Sequence, residues 1–114
     1  MEEPIDLTAC LAKGKTIRID EKEYEIKFGF GALRSLELQY GNVNAALDSF
    51  IKRENLYDNI VNFLYAACGE RYKLKKTDIE EWISISSAPI LHDVIFEALL
   101  SSIGTNSEEE QGEA

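Results

Sequence analysis

The sequence predicts an α+β fold, mainly helical, in which an N-terminal antiparallel β-hairpin packs on a bundle of about four to five helices. Two observations carry this reading. Ile17 and Ile19, then Tyr24, Ile26 and Phe28, alternate with polar or charged neighbours at a period of two. After Gly29-Phe30-Gly31 the apolar period becomes helical, in stretches punctuated by Gly41, Gly69, Pro89 and Gly104.

Each element has its own signal. Asp6 to Gly14 offers a capping Asp, apolar residues Leu7, Cys10 and Leu11 at helical spacing, and a Gly stop, which predicts a short helix. The hairpin is joined at Asp20-Glu21-Lys22 and must lay its apolar face on something, because an isolated hairpin is marginally stable. Ala32 to Tyr40 supplies a helix with Leu33, Leu36 and Tyr40 on one stripe, ended by Gly41. Asn42 or Asn44 caps a second, in which Val43, Ala46, Leu47, Phe50 and Ile51 recur. A third, Leu56 to Cys68, is apolar nearly all round, which marks it as the central and most buried element, with Gly69 as its stop. Thr77-Asp78-Ile79-Glu80 reads as a capping box opening a short helix with Ile79, Trp82 and Ile83. Ser86-Ser87-Ala88-Pro89 restarts the chain for a last helix, Pro89 to Ile103. Residues 1–104 are expected to form one domain, and residues 105–114, with Glu108, Glu109, Glu110 and Glu113 and no large apolar side chain, a disordered acidic tail. Phe28, Phe30, Phe50, Phe63 and Trp82 fall on core stripes or junctions, Trp82 being expected to lie largely buried.

Composition excludes several functions. In 114 residues, 12 Lys+Arg stand against 21 Asp+Glu, a net charge of −9, and the basic residues form no stripe, so nucleic acid is not an expected partner. No apolar run is long enough for a membrane span, and the opening Met1-Glu2-Glu3-Pro4 is no signal peptide. Cys10 and Cys68 read as free thiols of a reducing compartment, and with one His they are too few for zinc. No metal or other cofactor is expected. Gly29-Phe30-Gly31 lacks the third glycine and βαβ setting of a nucleotide site. His92 reads as structural, and the adjacent Glu80 and Glu81 point apart on a helix. No catalytic residues emerge, and no enzyme is expected.

The stretch Lys15 to Gly41, KTIRIDEKEYEIKFGFGALRSLELQYG, resembles the opening of the tail assembly chaperones of long-tailed bacteriophages and prophages. The family pattern is a hairpin of the type I-x-I-[DN]-G-K-E-Y-x-[IL]-x-[FY] followed by G-x-x-A-L-x-x-L-E. The likeness continues more loosely through the helical region, the I-E-E-W-I stretch and the acidic tail. The chain departs from the pattern at Glu21, where Gly is common, and in the residues before Lys15. The resemblance implies a chaperone, absent from the mature virion, that keeps the tape measure protein soluble in the cytoplasm of the bacterial host during tail assembly. It also implies that a longer, frameshifted form recruits the tail tube protein. The alternative reading of the residues is a generic acidic adaptor or regulatory protein-binding module of unknown partner. Carboxylates around an apolar groove would suit a Lys-bearing amphipathic helix.

The last helix carries the candidate interface. Leu91, Val94, Ile95 and Ala98 share one face, whereas Phe96, Leu100 and Ile103 form a second, with Leu99 between. One face belongs to the core. Phe96, Leu100 and Ile103 are the expected partner-binding residues, for a second copy of the chain or an amphipathic client helix, unless the helix is sandwiched between hairpin and bundle. Leu38, opposite the Leu33, Leu36, Tyr40 stripe, is the lesser candidate.

Overall fold

The computed structural model describes residues 4–7 and 13–103. It has the expected architecture, a two-stranded antiparallel hairpin followed by helices. Residues 4–7 and 13–14 are not helical, and the rest of the expected Asp6 to Gly14 helix lies outside the described residues, as do Cys10 and the acidic tail.

Strands β1 (Lys15–Ile19) and β2 (Lys22–Ile26) pair with Ile17 opposite Tyr24 and Lys15 opposite Ile26. The Ile17, Tyr24, Ile26 face therefore turns inward, as the alternation requires. The turn is one residue tighter than expected: Asp20 and Glu21 alone span it, with φ of 51° and 69°. Positive φ at both positions is the hairpin turn that matches strand twist, and it favours Gly at the second. Glu21→Gly should accordingly raise stability by about 0.5–1 kcal/mol, the relief of a left-handed residue less the entropy of a new glycine. A urea midpoint that rises at unchanged slope is the expected result; a lower midpoint would contradict it.

Phe28 hands the strand over to helix α1 (Phe30–Tyr40), and Gly41, at φ 94°, closes that helix where a side chain would be strained. Ala32 and Leu36 are buried in it. Phe30 corrects the expectation: its first-turn position aims it away from the Ala32 and Leu36 side, and it is exposed rather than core. Helix α2 (Val43–Ile51) is capped by Asn42, whose side chain accepts from the Ala45 N–H at 2.7 Å. Its last residue, Ile51, is exposed.

Helix α3 (Leu56–Leu64) is central: α1, α2, α4 and α5 all pack on it. It does not run on regularly to Cys68. Residues Tyr65–Gly69 form a π-helical turn, and Tyr57 and Tyr65 are exposed rather than buried. Gly69 is not the left-handed stop; that conformation falls on Lys73, φ 57°. The glycine makes room instead, since a Cβ there would lie 2.6 Å from the Tyr65 ring. Cys68 is a buried free thiol that donates to the Leu64 carbonyl at 3.2 Å. Burial pushes its pKa up to about 11, with Arg71 pulling weakly the other way. Cys68 should therefore resist alkylation at pH 8 in the native protein and react on unfolding. The folded state holds the proton more tightly, so this group's contribution to stability is intact below its ordinary pKa and is lost as pH rises toward 11. Fast native labelling at Cys68 would contradict the packing.

Past the π turn, the Tyr72 hydroxyl accepts from the edge N–H of Glu25 at 2.9 Å, and Arg71 pairs with the Glu25 carboxylate at 2.7 Å. These contacts fasten the hairpin to the helical layer. Helix α4 (Lys76–Glu80) starts two residues earlier than a Thr77 cap would allow; the Asp78 carboxylate accepts from the Lys75 N–H at 2.9 Å, so Asp78 performs the role expected of Glu80. The helix ends before Trp82, which sits in the following turn with its ring 4.8 Å from that of Tyr24 and is only partly buried. Its removal should cost less than a core Trp would.

Helix α5 (Ser87–Ile103) begins two residues before Pro89. Ser84 and Ser87 cap it reciprocally, each hydroxyl accepting from the other's N–H, at 2.8 and 3.0 Å. His92 is structural: its Nε2–H donates to the Phe50 carbonyl at 3.1 Å and its ring stacks on Phe50 at 4.1 Å.

Candidate protein-binding site

Leu91, Ile95, Ala98 and Leu99 are buried, and α5 rests on both α3 and β1. Even so, Phe96 and Leu100 on its second face remain 37% and 39% exposed. Ile103 is helical, and its side chain lies outside the described residues. Leu38 is more exposed still, at 75%.

The structure does not join these candidates into one surface. Helix α1 packs on α2, α3 and the π turn, whereas α5 packs on α3 and β1. Leu38 instead shares a hollow with Phe30, itself 81% exposed. Phe30, Arg34 and Leu38 stand four residues apart and so form an outward stripe along α1. Contiguous open cavities of about 350, 510 and 540 Å³ run between this stripe and the π turn, all touching Gly31 and Glu70. Gly31, Ala32, Ala66, Ala67 and Gly69 line the floor, and Tyr65 forms part of the opposite wall.

The rim corrects two sequence expectations. Lys27, Arg34, Arg71 and Lys73 line the groove against a single carboxylate, Glu70. Basic residues remote in sequence thus do assemble, and the groove is ringed by cations, not carboxylates. Glu25 engages Arg71 at 2.7 Å, whereas Lys27, Arg34 and Lys73 have no ion pair among the described residues. Small floor residues permit close approach of a backbone, exposed aromatic and Leu side chains offer apolar anchors, and the cations add orientation. Those are the requirements of helix-in-groove recognition. The π turn positions the far wall; the strand-to-helix junction at Gly29 positions the near one.

Among the described residues no group of three His, Cys, Asp or Glu could hold a metal ion, and no helix is long and apolar enough to cross a membrane. Comparison with known proteins finds no matching family model, no matching curated protein and no matching solved structure.

Proposed function

We propose that the chain is a tail assembly chaperone that binds the tape measure protein of a long-tailed phage or prophage and keeps it soluble in the host cytoplasm. The observation that carries the reading is the pair of exposed apolar anchors, Phe30 and Leu38, beside a groove with a small-residue floor. Isolated exposed apolar residues need no explanation, but two of them flanking a groove favour a protein ligand. The stretch that resembles the family, Lys15 to Gly41, supplies both anchors and one wall of that groove. Recruitment of the tail tube protein belongs, on this reading, to a longer frameshifted form, and Phe96 and Leu100 serve either self-association or the same long client.

The test is co-expression of the tagged chain with a tape measure protein encoded beside it, followed by affinity purification. A stable complex is expected. Phe30→Ser with Leu38→Ser and Phe96→Ser with Leu100→Ser, both confirmed as folded, then assign the surface, since substitutions at exposed sites leave stability nearly unchanged. A folded chain that retains no tape measure protein would overturn the proposal and favour a generic acidic adaptor.

A further inference from the structure

Resting on the protein-binding reading, we infer that the groove between α1 and the π turn selects an amphipathic helix flanked by carboxylates, donated by another protein, although the chain as a whole is strongly acidic. Net charge and local charge point in opposite directions here. The chain carries −9, which would draw a basic ligand from a distance. Screening confines that field to about 8–10 Å at physiological salt, so the side chains at the rim decide what docks. Four of the 12 Lys and Arg residues line this one groove. Against Glu70, and Glu25 which pairs with Arg71 at 2.7 Å, the four cations leave a local charge of +2, and Lys27, Arg34 and Lys73 have no ion pair among the described residues.

The apolar geometry sets the ligand's form. Phe30 and Leu38 are eight residues apart, about 12 Å along α1, which matches apolar residues spaced over two turns of a facing helix. Between them stands Arg34, and across the groove Lys73, placed to meet Asp or Glu on the two flanks of that helix. The floor of Gly and Ala admits the ligand's larger side chains. The acidic segment at residues 105–114 of this chain has the charge but no large apolar side chain to meet Phe30, Leu38 and Tyr65, so it lacks half of what the groove recognises.

Two labelled helical peptides of the same Leu-containing apolar face, one flanked by Glu and one by Lys, test the inference against the full chain by fluorescence anisotropy. The Glu-flanked peptide should bind at least about tenfold more tightly, with an advantage that shrinks as salt is raised. Arg34→Glu with Lys73→Glu, both exposed and checked for fold by circular dichroism, should abolish or reverse that preference. Phe30→Ser should weaken both peptides. Amide shifts should map to Gly31, Leu38 and Ala66. Equal binding, preference for the Lys-flanked peptide, or shifts centred on Phe96 and Leu100 would overturn the inference. So would a self-associated chain that Phe30→Ser dissociates and neither peptide disrupts, since a second copy would then be the occupant. If the charge-reversed variant loses the Glu-flanked peptide yet binds the tape measure protein as tightly as the native chain, the groove is not the client site and the chaperone reading stands. If the peptide binds in the groove but tape measure protein is not retained, the groove assignment stands and the chaperone reading falls.

Discussion

Phe63→Ala is expected to cost about 3–5 kcal/mol and to lower the melting temperature by about 15–30 °C. Phe63 is fully buried in the central helix, with its ring centroid 4.5 Å from Phe50, 5.9 Å from Tyr40 and 6.0 Å from Phe28. Those neighbours come from α2, α1 and the end of the hairpin, so one cavity would loosen three elements at once. They are held by other contacts, His92 stacking on Phe50 among them, and cannot all collapse inward. Phe63→Leu keeps most of the volume and should cost less than about 1.5 kcal/mol. Thermal unfolding of the two variants checks both figures, and a Phe63→Ala loss below about 1 kcal/mol would show that Phe63 does not hold the layers together.

Asn59→Ala is the second large effect expected, about 2–4 kcal/mol, and it arises from polar satisfaction rather than volume. Asn59 is buried, donates from Nδ2 to Ser49 Oγ at 2.9 Å and to the Glu54 carbonyl at 2.6 Å, and accepts the Tyr40 hydroxyl proton at Oδ1. Asn62 in turn donates to the Tyr40 oxygen at 3.1 Å. The network joins α1, α2, the connection after α2, and α3. Burial raises the Tyr40 pKa, Asn62 opposes the rise and Asp58 reinforces it, so the phenol stays a neutral donor at ordinary pH. Truncating Asn59 leaves the Tyr40 hydroxyl without its acceptor and the Glu54 carbonyl without its donor. Because Tyr40→Phe removes one side of the same bond, the double variant should lose less than the sum of the single variants. Strict additivity in that cycle would contradict a coupled network.

Local patterns made most of the fold legible. Strand alternation at Ile17, Ile19, Tyr24 and Ile26, glycine and asparagine caps at Gly41 and Asn42, and the apolar density of α3 each act within a few residues. The errors lie where a tertiary contact decides. Trp82 left its helix to meet Tyr24; Gly69 answers to the Tyr65 ring rather than to a helix stop; the π turn has no sequence signature that periodicity detects. The site was half legible. Leu38 was readable as an outward residue, and Arg34 and Phe30, four and eight residues before it, carried the same signal, obscured because Gly29-Phe30-Gly31 reads first as a break. The basic rim was not readable, since Lys27, Arg34, Arg71 and Lys73 meet only once the hairpin is fastened beside the π turn.

The most direct measurement is the soluble fraction of the tape measure protein, assayed by sedimentation of lysates with no partner, with the native chain, and with the folded Phe30→Ser, Leu38→Ser double variant. A protein that is largely pelleted alone, soluble with the native chain and pelleted again with the variant is the result expected of a chaperone working through the α1 groove. A soluble fraction that does not change when the native chain is supplied would contradict the account.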